Sequence, residues 1–182
     1  MSYDLHLLLV PLGEDPLATL ERELERQDEE LNPGPARPEV EGRKRHWLAA
    51  VTRFDSELKI ALFDFEGLAA LERTDEAETR RRYRHLELNS GNYTGIQITL
   101  WDDRAELTFP YWHSGEQAAN VLRQVWDYLE VLQRAAGFVV VDPQLDRVLD
   151  LASDFPAVLR FYAGGENATS DQQARVPRWK LW

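Results

Sequence analysis

Four histidines, His6, His46, His85 and His113, are the side chains of this 182-residue sequence best suited to exchange a proton near neutrality. His113 stands between Trp112 and Ser114, where a strand gives way to a long helix. A helix N-terminus favours an anion and adjusts the protonation of a nearby group. His113, with His85 and an acid such as Asp102 or Glu87, is therefore the catalytic candidate, as general base or metal ligand. Against that, Asp102 falls at a hairpin turn, at the far end of its strand from His113. A capping or packing role is the stronger reading of His113.

The acids Asp142, Asp146, Asp150 and Asp154 recur every fourth residue. On a continuous helix they would form one carboxylate face suited to a divalent cation. Pro143 and the strand before it break that continuity, and repulsion between unpaired carboxylates opposes such a helix. Turn and cap roles are the better account. The sequence contains no Gly-rich phosphate loop, HExxH, EF-hand loop or nucleophile elbow. No catalytic residue is assigned, and no metal or cofactor is expected.

Charge sets the next constraint. Thirty-two acids and 21 Lys and Arg give a net charge of −11, of which residues 1–42 carry −8. Nucleic-acid binding needs a basic footprint that such a chain lacks. Residues 65–84 have the proportions of a helix-turn-helix followed by Arg80, Arg81, Arg82 and Arg84. Pairing of those arginines with Glu72, Glu76 and Glu78 of the same segment explains them without DNA. The acidic balance suits solubility, or a surface that meets a basic protein.

The elements that position these residues follow from periodicity. Residues 3–10 read as an interior strand, with Tyr3, Leu5, Leu7 and Leu9 on one face and Leu8 and Val10 making the other apolar. Asp15 and Pro16 start a helix over 15–31, with Leu17, Leu20, Leu24 and Leu31 as its stripe. The prolines after Asn32 predict a stiff loop to about Gly42. Trp47, Leu48, Val51 and Phe54 fit one helical face over 43–54. Residues 58–65 are ambiguous between strand and helix. Two short helices follow over 66–82, with a break near Thr74 and a cap at Asp75.

Residues 83–88, 95–101 and 104–112 read as an antiparallel meander. A two-residue turn at Asp102-Asp103 pairs Leu100 with Ala105, Ile98 with Leu107 and Ile96 with Phe109. On the other face Thr99 meets Glu106 and Gln97 meets Thr108. A slip of one residue would destroy this sorting. Ser114 opens a capping box for a helix over 114–136 that stops at Gly137. Its buried stripe is Ala118, Val121, Leu122, Val125, Leu129 and Leu132, with Trp126 beside them. Residues 138–141 are a buried strand, 147–151 follow a turn, and Ser153 caps a short helix carrying Phe155, Leu159 and Phe161.

Without its helical insertion (about 43–82), the chain reads β-α-β-β-α-β. That is the ferredoxin-like order of an α+β fold, an antiparallel sheet with helices on one face. One domain spans 1–163, followed by a tail over 164–182 with an aromatic and basic end. The uncovered sheet face is the expected recognition surface. Trp101, Trp112, Gln97, Thr99, Glu106 and Thr108 project from it, and tryptophan among polar residues has the composition of a binding hot spot. Trp179 and Trp182 of the tail offer a second way to cover that face. No apolar stretch approaches the ~20 residues of a membrane helix. The start, Met1-Ser-Tyr-Asp-Leu-His, lacks the basic region of a secretory signal, and the chain has no cysteine. Cytoplasmic residence is expected.

Several segments resemble a loose group of uncharacterised bacterial proteins. They are the opening Ser2-Tyr-Asp-Leu, Tyr83-Arg-His-Leu-Glu-Leu, Gly95-Ile-Gln-Ile, Pro110-Tyr-Trp-His-Ser-Gly and Phe138-Val-Val-Val-Asp-Pro-Gln, followed by Arg147-Val-Leu-Asp-Leu. The chain is also similar in its small size and acidity to immunity proteins of bacterial toxin systems. That likeness implies a non-catalytic binding module that meets a basic partner through the acidic helix or the open sheet face. The contrasting expectation is a small hydrolase or ligand-binding protein with a pocket near His113.

Overall fold

Alternation in the central hairpin organises the whole sheet. A computed structural model of the chain describes residues 2–29, 37–91 and 93–164. β4 (Gln97–Leu100) and β5 (Arg104–Pro110) pair with Leu100 opposite Ala105, Ile98 opposite Leu107, Thr99 opposite Glu106 and Gln97 opposite Thr108. This is the register that the sorting of apolar and polar residues requires. β1 (Ser2–Leu8) lies on the other side of β5, and β3 (Leu86–Asn89) on the other side of β4. β2 (Lys59–Ile60), β6 (Val139–Asp142) and β7 (Arg147–Val148) complete seven antiparallel strands in the order β2-β3-β4-β5-β1-β6-β7. The protein is α+β.

One sheet face is the main core. Tyr3, Leu5, Leu7, Leu88, Ile98, Leu100, Leu107 and Phe109 are buried there. α5 (Gly115–Ala136) covers them with Ala118, Val121, Leu122, Val125, Leu129 and Leu132, and Tyr128 joins this stripe. Gly137 ends the helix at φ +71°, a left-handed conformation that glycine adopts without a Cβ penalty, and its N–H bonds to the Gln133 carbonyl at 2.7 Å. Ser114 occupies the N-cap position, yet its side chain makes no capping hydrogen bond, so the expected capping box is not formed. α2 (Pro38–Phe54) packs beside α5 through Trp47 and Val51, and Trp47 lies 4.8 Å from the ring of Phe138. α6 (Phe155–Gly164) closes the layer, the Tyr162 hydroxyl donating to the Pro110 carbonyl at 2.7 Å.

Three expectations need correction. Helices do not occupy one face alone. α1 (Pro16–Glu29) crosses the opposite face, where Leu17, Leu20 and Leu24 pack on Leu8, Val139 and Val141. The cause is visible at the end of β1 and in β6, where the outward Leu8, Val139 and Val141 are apolar and require cover. The sheet also has seven strands, more than the four of the ferredoxin-like order, and with a helix on each face it departs from that arrangement. Finally, the stiff loop does not run to about Gly42. Pro38 opens α2 instead of prolonging a loop, because a proline at the first turn lacks only an N–H the helix would leave unpaired.

α3 (Phe65–Glu72) and α4 (Glu76–Arg82) are the two short helices expected, with Asp75 accepting from the Glu78 N–H at 2.7 Å. The tail over 165–182, with Trp179 and Trp182, lies outside the described residues. No described helix is long and apolar enough to cross a membrane.

Burial on the core face and partial exposure on the other make the hairpin's two sides energetically unequal. Leu107→Ala is expected to lower stability by about 2–5 kcal/mol. Thr108→Ala, one residue on, should cost less than about 1 kcal/mol. Urea titration of both variants checks this.

Candidate functional site

The outer sheet face carries two rows of polar side chains running across the strands. One row aligns Glu87, Thr99, Glu106 and His6, and the other aligns Asn89, Gln97, Thr108 and Asp4. Antiparallel pairing at about 4.8 Å between strands brings these groups side by side. α1 shields the β1 and β6 end of this face and reaches β5 at Arg104 through Glu23. Gln97, Glu106, Thr108 and Asp4 remain half-buried rather than sealed, whereas Thr99 and His6 are buried. The face thus offers carboxylates, an amide and a hydroxyl in a fixed array.

An aromatic column bounds the array at the β4–β5 turn. The His85 ring lies 4.3 Å from Trp101 and 5.1 Å edge-on from Phe63, with Tyr83 at 6.1 Å. The Arg104 guanidinium stacks 4.8 Å from the Trp101 ring and bonds to Glu23 of α1 at 3.5 Å. Cation–π and ion-pair contacts therefore join α1, β5 and the column. A cleft of about 90 Å³ beside them is lined by Thr19, Arg22, Glu23, Asp103 and Arg104 over Leu8 and Pro11.

Behind the same turn stands a group that the sequence reading missed. Lys44 of α2 is 1 % exposed. Its Nζ donates to the Arg84 carbonyl at 2.8 Å and pairs with Glu41 at 2.8 Å and Asp102 Oδ1 at 3.0 Å. Arg84 pairs with the other Asp102 oxygen, and Arg43 donates to the Asp102 carbonyl at 3.2 Å. Burial acts to raise the Asp102 pKa, but Lys44 and Arg84 outweigh it and hold the carboxyl below its ordinary 3.8. The signal in the sequence was spacing: Lys44 precedes Trp47 by three residues and Val51 by seven, on the buried stripe of its helix.

The other candidates separate. His85 Nε2 meets Glu87 at 3.1 Å, so that pair forms as the spacing suggests. His113 lies beyond the opposite end of β5 from Asp102. It is 3 % exposed, and its one hydrogen bond among the described residues joins Nε2 to the Thr94 carbonyl at 2.8 Å. That is a packing role, and His113 and His85 do not form one site. Trp112 sits past the end of β5 beside His113 and is 72 % exposed, so it does not join the polar rows. His46 is exposed on α2.

The four spaced aspartates are also apart in role. Asp142 is buried and accepts from the Tyr3 hydroxyl at 2.5 Å and from the N–H groups of Gln144 and Leu145. Asp150 accepts from Ala152 and Ser153, and Asp154 pairs with Arg147. Among the described residues no three His, Asp or Glu side chains are grouped to hold a metal ion. Arg80 pairs with Glu76, Arg81 with Glu78 and Arg82 with Glu78 and Glu72, within their own segment.

Comparison of the chain with protein families, curated proteins and solved structures finds no match.

The Lys44 and Asp102 pair makes a clear prediction. Asp102→Asn leaves the buried ammonium short of a counter-charge and should cost about 3 kcal/mol, as when one partner of a buried pair is removed. The sign with pH follows from the lowered carboxyl. Its contribution is present above the unfolded value near 3.8 and is lost as pH falls through the still lower folded value. Denaturant titrations between pH 7 and pH 3 should show an acid-side decline that is shallower in Asp102→Asn than in the native chain.

Proposed function

We propose that this chain is a non-catalytic protein-binding module, similar in kind to immunity proteins, that receives a basic partner on its outer sheet face. The observation that carries this reading is the pair of cross-strand polar rows in which Gln97, Glu106 and Thr108 of β4 and β5 stay partly exposed. A binding face gains specificity from hydrogen-bonding groups held in register, and it gains affinity from aromatic anchors at their margin. Gln97, Glu106 and Thr108 supply the first, with Thr99 buried between them, and Trp101 supplies the second.

The charge distribution favours a cationic partner. Glu87, Glu106 and Asp4 lie on the face, and exposed Glu14, Asp15, Glu21 and Glu25 lie along α1 beside it. Carboxylates at the rim steer a basic protein into encounter more than they add to final affinity. The arginines of 80–84 are engaged with acids of this chain, which supports a protein partner over a nucleic acid. A chain without cysteine suits a reducing compartment, and cytoplasmic residence is part of the proposal.

A hydrolytic pocket at His113 has less to support it. His113 is enclosed, and neither the 90 Å³ cleft nor a shallower one of about 360 Å³ between α5 and 149–152 includes it.

The experiment is co-purification from the native host with paired baits. The unaltered chain should retain a basic protein that Thr108→Arg loses, while Arg123→Ala, on the exposed side of α5, retains it. A charged, bulky side chain at the centre of a hot spot typically costs 2 kcal/mol or more, at least roughly thirtyfold in affinity. A partner held equally by all three baits, or no partner, overturns the proposal.

A further inference from the structure

Four buried side-chain atoms have no hydrogen-bond partner among the described residues: His85 Nδ1, Trp101 Nε1, His113 Nδ1 and Arg147 Nε. His85 and Trp101 stand in contact, and His85 touches two parts of the fold, which the Ala61 N–H also joins by donating to the Glu87 carbonyl at 2.8 Å. On one side is the segment 61–83, which brings Phe63 and Tyr83. On the other is the central hairpin, which brings Trp101 and Arg104.

The imidazole is 9 % exposed and pressed between Phe63 and Trp101. Its bond to Glu87 places the proton of the neutral ring on Nε2, an assignment made from that contact. Nδ1 then presents only a lone pair to its apolar surroundings. Taking up a second proton would create an N–H at Nδ1 where no described acceptor stands. An unpaired buried donor on a charged ring is costly.

The charges around the ring work against protonation as well. Lys44 of α2 and Arg104 of β5 repel a second proton, and Glu87 of β3 favours it. From the end of α4 comes Tyr83, whose hydroxyl donates to Glu72, and the neighbouring segment contributes the uncharged Phe63. Burial is the largest effect, and the balance pushes the imidazole below its ordinary 6.5.

We propose that His85 is an acid-sensitive latch: neutral, it fastens residues 61–83 against the outer sheet face through Phe63 and Tyr83, and on protonation it releases them. This inference stands independently of any partner. Opening the segment hydrates the ring and restores an ordinary proton affinity, so opening takes up a proton. The latch is therefore fully closed above about pH 6.5, weakens as pH falls through that value, and levels off below the folded one.

Amide exchange of the whole chain tests this, with rates at pH 7.5 and 5.0 corrected for intrinsic chemistry. Protection across 61–83 should fall at pH 5.0, by up to roughly tenfold for each unit that separates the open and closed proton affinities. Protection in α5 should stay constant. His85→Phe keeps an aromatic ring and cannot charge, so its 61–83 protection should not change with pH. A wild-type segment insensitive to pH, or an equal loss in His85→Phe, overturns the latch. Should that variant fail to fold, NMR titration of the native His85 ring decides. A midpoint below 6.5 that moves the Phe63 and Trp101 resonances upholds it, and a midpoint at or above 6.5 overturns it.

Discussion

Strict alternation along β5 is the constraint from which the rest of the molecule follows. Ala105, Leu107 and Phe109 point one way and are sealed, while Arg104, Glu106 and Thr108 point the other. Because side chains in a strand alternate with period two, no register can place both sets in water or both in the core. The sealed set requires a helix as long as α5, and the polar set forbids a second apolar layer over the same strands. A core on one side and a polar array on the other are thus two consequences of one pattern.

The outer face is not uniform, and its boundaries also have physical causes. Toward β6 the outward residues become Leu8, Val139 and Val141, and there α1 covers them. Toward β3 the boundary is aromatic, with His85 tilted against Trp101 and edge-on to Phe63. Arg104 links the two boundaries, touching Trp101 on one side and Glu23 on the other. Beneath the turn, Lys44 and Arg84 hold Asp102 from behind. A buried ion pair is weak grounds for stability in itself, since desolvation offsets much of the attraction. Its contribution here is positional: it fixes the turn that sets the hairpin's register.

What was legible in the sequence is what periodicity encodes. The pairing of Leu100 with Ala105 and of Thr99 with Glu106 followed from polar matching alone, and α5 followed from its stripe and from Gly137. The side of the sheet taken by α1 was not legible in the same way. Leu17, Leu20 and Leu24 declare that one helix face is buried, but not against which sheet face; Leu8 and Val10 were the pointer. Pro38 misled because proline both ends loops and opens helices. Lys44 was overlooked because a cation on an apolar stripe reads as a solvated residue until its partners Glu41 and Asp102, the latter distant in sequence, are known. The contact of His113 with the Thr94 carbonyl involves a backbone atom and carries no sequence signature.

β5 meets a core on one side and an accessible polar face on the other. The absence of native cysteine allows a direct measurement, the thiol-labelling rate of single cysteines placed in turn at positions 105 to 109. Alternating rates are expected, with 106 and 108 labelled under native conditions and 105, 107 and 109 protected until the chain unfolds. Equal protection at all five positions would mean that the outer face is sealed and that β5 has no accessible polar side.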